Sequence, residues 1–283
     1  MVDPMHAALA SALASPSQPI GALLREWRQR RRLSQLDLAL DADISTRHLS
    51  YVETGRAAPS RAMVLHLAEQ LEVPLRERNV LLTAAGYAPI YRERTLDDPA
   101  LQAAREAVDL VLRAHEPYPA LAVDRHWNML SHNRPVLALM DGIAPELLAP
   151  PLNVLRLSLH PQGMAPKIVN LSAWRTHLFE RLRHQIAVCA DPVLAALLEE
   201  LQSYPAPPDD VPYEAIALNA VAVPLQLRTA MGVLSFISTI TVFGTPVDIT
   251  LSELALETFF PADPFTAQAL RHLSDGQAAA QQP

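Results

Sequence analysis

The stretch SQLDLALDADISTRHLSYVETG, Ser34 to Gly55, decides the reading of this chain. It contains two short apolar patterns separated by a few polar residues. Ser34 precedes Leu36, Ala39 and Leu40 and has Asp37 three positions on, the capping-box arrangement that fixes a helix start. Ser45 stands in the same place before a helix carrying Leu49 and Val52, and Gly55 suits the left-handed residue that closes it. Asp43 occupies the turn, and aspartate tolerates the left-handed region better than most residues. Two short helices on so tight a turn predict a helix-turn-helix, a form in which the first helix crosses the phosphates and the start of the second enters the major groove.

On that geometry the expected duplex-facing set is Gln35, Ser45, Thr46, Arg47, His48, Tyr51 and Arg56. Gln35, at the start of its helix, reaches a phosphate. Thr46, Arg47 and His48 open the second helix, and Tyr51 follows one turn later on the same face. Arg47 suits a bidentate contact to guanine or a phosphate, and Thr46 a thymine methyl. Arg25, Arg31, Arg32 and Arg56 surround the unit and are expected to neutralise phosphate charge. The plainer reading makes Thr46, Arg47 and His48 a solvated helix face.

Working outward, the segment 20–86 reads as five short helices. Leu23, Leu24 and Trp27 stripe the first. Met63, Val64, Leu67, Ala68 and Leu71 stripe the fourth, which stops at Pro74. The fifth runs from Leu75 to Ala85 and ends at Gly86. Between Ile20 and Arg61, eight arginines against five acids give +3, in a chain whose total is −7, so the remainder carries −10. A small basic module joined to a larger acidic one is the reading. At 283 residues and half hydrophobic, the chain is long enough for two cores. Arginine abundance by itself is discounted, because Lys167 is the single lysine and proline reaches 25, a compositional bias of the whole chain.

The first 19 residues, closing on Ser15-Pro16-Ser17-Gln18-Pro19, read as a flexible arm without a basic signal region. Residues 87–104 read as a linker, 105–275 as an α+β domain, and 276–283 (GQAAAQQP) as a disordered tail. Within the large domain, Ala120 to Asn133 alternates like two strands about Asp124-Arg125, and Pro135 suits a helix start. Leu171–Cys189 is a long amphipathic helix, and Pro192 begins another that ends near Tyr204. PAPPDDVP is expected to be an exposed loop. Ala222–Arg228 and Val233–Phe243 form a hairpin about Met231-Gly232. Val247–Leu251 is a third strand by composition, LALETFF a short helix capped by Ser252, and Pro264 starts the last helix.

GALLREWRQRRRLSQLDLALDADISTRHLSYVETGRAAPS resembles the XRE family of Cro/repressor-type helix-turn-helix regulators, with LSQLDLA and STRHLSYVETGR in family order. That resemblance implies that Glu53 pairs with Arg28 inside the bundle. The rest, through VDRHWNMLSHN, NVLRLSLHP and a Trp-bearing amphipathic helix, resembles the MmyB-like regulators. Their ligand-binding domain is PAS-like, a curved antiparallel sheet holding a cavity against helices. This resemblance reads SFISTITVFGTPVDITLSELALETFFP as later strands. It implies a small apolar ligand, with fatty acids as the class.

The candidate cavity residues are Trp127, Leu130, Leu137, Trp174, Leu178, Phe236 and Ile240. The candidates for a ligand carboxylate are Arg134, His160, Arg175 and His177. Each of these has an ordinary alternative in the core or on the surface. His177 and His184 lie seven apart with Arg181 between, which reads as a solvated helix face, so no metal is expected. Cys189, the one cysteine, excludes an internal disulfide and reads as a buried helical thiol.

No nucleophile elbow, P-loop or zinc-protease motif is present, and the eight glycines leave little for a phosphate cradle. The expected protein is therefore not an enzyme. It is expected to be a cytoplasmic, sequence-specific DNA-binding regulator, a homodimer that senses an apolar molecule, uses no cofactor and spans no membrane. The alternative keeps the DNA-binding head and makes the larger half a ligand-free dimerisation or protein-contact module.

Overall fold

A computed structural model describes residues 18–205 and 222–280. The expected arm at 1–19 and loop PAPPDDVP lie outside them apart from Gln18, Pro19 and Pro205. The chain divides into two units between Arg92 and Glu93.

The first unit consists of α1 (Ile20–Arg30), α2 (Gln35–Asp41), α3 (Thr46–Glu53), α4 (Arg61–Gln70) and α5 (Leu75–Ala84). The starts follow the caps. Ser34 and Asp37 form a reciprocal capping box, and Ser45 and Ser60 each accept a backbone N–H three residues on. Asp43 has φ 50° and Gly55 φ 73°, so both turns use the left-handed conformation their sequences suit. Leu24, Leu38, Leu49, Val52, Val64, Leu67, Leu71, Leu81 and Leu82 are fully buried and form one core. Gly21 lies where α1 crosses α3. A Cβ there would stand 2.4 Å from the Val52 carbonyl oxygen, so only glycine permits this approach.

The second unit holds α6 (Gln102–Ala114), β1 (Ala120–Val123), β2 (Met129–His132), α7 (Arg134–Leu139), α8 (Pro145–Leu148), α9 (Val154–Leu159), α10 (Leu171–Cys189) and α11 (Pro192–Ser203). Then come β3 (Leu225–Thr229), β4 (Gly232–Val242), α12 (Ile249–Ser252), β5 (Ala255–Pro261) and α13 (Pro264–Ala280). The five strands form one antiparallel sheet in the order β2-β1-β5-β4-β3. The fold is therefore a helical helix-turn-helix unit plus an α+β unit. One sheet face carries Leu121, Leu227, Leu234 and Phe236 against Trp174, Leu178 and Leu182 of α10. The opposite face carries Ala120, Ala122 and Leu256 against Val108 and Leu112 of α6.

Three expectations change. LALETFF is the central strand β5, because it pairs on both sides with β1 and β4, partners distant in sequence. A short apolar run fits either period, and the pairing chooses. Val247–Leu251 is no strand: Asp248 caps α12 by accepting the Thr250 N–H. The expected tail is helical as far as Ala280, as its alanine and glutamine content favours.

The expected linker is also held at both ends. Asn79 binds the backbone of Ile90 and Tyr91 in the first unit. Arg94 pairs with buried Asp248 in the second, and Leu101 is buried. Asn133 locks the β1 neighbourhood: its Oδ1 accepts the Ala120 N–H, and its Nδ2 donates to the Leu112 and Tyr118 carbonyls.

Candidate functional site

α3 presents its first turn outward. Arg47 is exposed, while Thr46 and His48 are half-buried. Ser45 Oγ accepts the His48 N–H at 3.1 Å, which fixes where the helix begins. Arg47 Nε donates to the Tyr51 hydroxyl at 3.0 Å. The Arg47 and Arg56 guanidinium carbons stand 5.4 and 5.9 Å from the Tyr51 ring centroid. One ring thus gathers two exposed cations on this face.

Behind it lies a buried network. Arg28 Nε and Nη2 donate to the two Glu53 oxygens at 2.6 and 2.9 Å, and Arg28 Nη1 donates to the Leu33 carbonyl. Burial pushes the Glu53 carboxyl up, but hydrogen bonds from Arg28 and Gln35 and the Arg28 charge outweigh it and hold the group below its ordinary range. The pair ties α1 to α3, which orients the outward turn.

Six of the expected duplex-facing residues therefore lie together on α3 and its flanks. Gln35 sits with the network instead, its Nε2 donating to Glu53 Oε2 at 2.8 Å. Arg31 also differs from expectation. It donates to the Leu71 and Glu72 carbonyls at the end of α4. Arg25, Arg32 and Arg56 are exposed.

The second unit holds a partly open cavity of about 80 Å³. One water needs roughly 10–15 Å³ of such space, so the space exceeds a packing defect. The sheet supplies Leu121, Met129, Leu225, Leu227, Phe236, Glu257 and Phe259. Val136, Leu139 and Met140 come from α7 and its end, Leu155, Leu157 and Ser158 from α9, and Trp174 and Leu178 from α10. Trp174 Nε1 donates to Ser158 Oγ at 3.0 Å, so the indole is fixed as part of the wall. An apolar cavity with few polar groups is the form of a small-molecule site.

Two family models match. Residues 19–81 match a helix-turn-helix domain. Residues 104–273, more than half of the chain, match the MmyB-like transcription regulator ligand binding domain. The chain belongs to the MmyB-like transcription regulators. No curated protein sequence matches it. Among the described residues of this regulator, no helix is long and apolar enough to cross a membrane.

Of the expected cavity residues, the regulator brings Trp174, Leu178 and Phe236 together. Leu130 is exposed and Met129 lines the cavity in its place, because a register shift at Ala122/Val123 reverses which β2 side chain faces inward. Leu137 is exposed because Val136, Leu139 and Met140 hold the inward helical face. Ile240 stands opposite Glu257 on the correct sheet face but is 43% exposed, where β4 runs beyond its cover. Trp127 is buried outside the cavity wall, its Nε1 donating to Gln185 Oε1.

None of the four expected carboxylate partners lines the cavity. Arg134 pairs with Glu116 at 2.9 Å on the exterior. His160 packs edge-on against Tyr204. Arg175 donates to the carbonyls of Leu201, Gln202, Tyr204 and Pro205, closing the end of α11. His177 lies against Trp174, and burial together with nearby Arg181 lowers its pKa.

The face expected to be solvated is split. His184 is exposed, but Arg181 is largely covered, 4.3 Å over the Trp127 ring and 3.0 Å from Glu257. Cys189 is half-buried, and burial raises its thiol pKa. Among the wall residues not expected from the sequence, Glu257 is the charged one. Its signal is a lone carboxylate inside the apolar run ALETFF.

Proposed function

We propose that this regulator binds DNA as a homodimer through the Arg47 face of α3, and that a small apolar molecule in the second unit sets its affinity. The observation that carries the reading is the apolar cavity walled by Trp174, Leu178 and Phe236 within a domain of the matched ligand-binding family. The resemblance supplies the class, an acyl chain such as that of a fatty acid. Two helix-turn-helix units about 34 Å apart suit a near-palindromic site. The molecule shifts DNA affinity only as far as it prefers one of two states. The reading includes no catalysis; the polar wall residues Ser158 and Glu257 are bound to Trp174 and Arg181.

The test starts from full-length protein, with mass spectrometry of any extracted lipid. Fluorescence anisotropy against DNA selected from a random pool follows, with the occupant present and stripped. A change of about tenfold or more in affinity, equivalent to 1.4 kcal/mol, is expected. Equal affinities across occupied and stripped protein would favour the ligand-free dimerisation module.

A further inference from the structure

We infer that the ligand is an amphiphilic acid held in two places, its acyl tail in the cavity and its carboxylate at Lys167 in a neighbouring cleft. The inference rests on the cavity being the ligand site. The cleft, of about 190 Å³, shares Leu139, Met164 and Leu227 with the cavity. At about 80 Å³ the cavity takes roughly five to eight groups the size of a water, and a methylene is of similar size. A longer chain therefore extends past the wall, and the three shared side chains mark where.

Charge divides the two spaces in the same way. Among the described residues no cation lines the cavity, and its charged wall residue, Glu257, is engaged by Arg181. The cleft is lined by Lys167 and Arg228, with Asp141 and Thr229 beside them. Asp141 is exposed, so water screens its charge. The hollow beside Arg134 measures about 10 Å³ and shares no residue with the cavity, and that guanidinium is paired with Glu116.

Lys167 is the single lysine of the chain, and local structure fixes it at this border. It ends the 3-10 turn Ala165–Lys167, which Met164 caps, and its N–H donates to the Met164 carbonyl at 2.8 Å. One turn thus carries both a shared wall residue and the cation. The turn is pinned to edge strand β3, where Ile168 bridges Leu227 and the Val169 N–H donates to the Gln226 carbonyl at 2.8 Å. The ammonium donates to the Asp141 main-chain carbonyl, which leaves two of its protons. Among the described residues it forms no ion pair, so a carboxylate arriving here meets an available charge-assisted donor. Arg228 stands on β3 next to Leu227, where alternation turns it to the opposite sheet face. It adds positive charge to the cleft, and Lys167 makes the contact. Met164 is the movable part of the wall. Its unbranched thioether adapts its shape readily, so joining the two spaces asks for side-chain rotation and no backbone opening.

The experiment titrates lipid-stripped, full-length protein with decanoate and 1-decanol by calorimetry, at a pH where decanoate is ionised. Lys167→Met should weaken decanoate about tenfold and leave decanol within about twofold. Lys167→Arg should keep most of the decanoate affinity. Lys167→Gln takes the place of the methionine variant if that one does not fold. Decanoate unmoved, or both ligands weakened alike in a variant that melts at the wild-type temperature, would overturn the inference. If Met140→Trp still removes binding in that case, the cavity remains the ligand site and only the position of the head is wrong. If neither ligand binds the wild type and no lipid co-purifies, the cavity is not the ligand site, and the function proposed above falls with the inference.

Discussion

Glu53→Ala tests how the outward first turn of α3, the proposed DNA-binding face, is held. The carboxylate is almost wholly covered and takes three hydrogen bonds, two from Arg28 and one from Gln35. Its removal leaves the Arg28 guanidinium buried with only the Leu33 carbonyl and strands the Gln35 amide. Breaking one side of a buried ion pair costs about 3–5 kcal/mol. A unit of roughly 70 residues holds about 4–10 kcal/mol at the usual stability per residue. The substitution should therefore bring the first unit close to its unfolding threshold while the second unit stays folded.

Hydrogen exchange by mass spectrometry on the full chain reads this directly. Peptides from α1 and α3 should lose protection by about 10² to 10⁴-fold, and peptides from α10 should not change. The sign with pH is fixed as well. Because the folded Glu53 carboxyl is held low, its stabilisation is complete above the ordinary carboxylate range and is lost as pH falls through the folded pKa. The gap between wild type and variant should close in acid. A loss of protection below about tenfold at neutral pH would refute the bracing role.

Arg47→Ala should weaken binding to the preferred site by about 1–3 kcal/mol while sparing unrelated DNA, as anisotropy on both sequences shows. A uniform loss with a salt slope reduced by about one would make Arg47 a phosphate contact. Asn133→Ala leaves the Ala120 N–H and the Leu112 and Tyr118 carbonyls unmet, and should cost the second unit on the order of 3 kcal/mol in a urea titration. Met140→Trp fills the cavity from its helical wall and should abolish the thermal shift produced by decanoate, with DNA binding left at the level of the empty protein.

Local chemistry made the first unit readable. Serine caps, a left-handed Asp43 and a closing Gly55 act within a few residues of themselves, so the helix-turn-helix follows from the order of side chains. The 19-residue α10 is readable for the same reason, its apolar stripe running from Leu171 to Cys189. The cavity was only partly visible. Trp174, Leu178 and Phe236 follow from periodicity, whereas Met129 depends on a bulge and Glu257 on a strand that a helical pattern imitates.

The sequence by itself determined two modules, the position of the outward first turn of α3 and the apolar character of the larger core, because caps, turns and hydrophobic spacing are short-range. Tertiary structure alone decided that β5 lies at the centre of the sheet, and that Arg181 and Glu257, 76 residues apart, meet behind the cavity wall. Pairing across such distances is settled by which faces bury together, and no stretch of either segment carries that information.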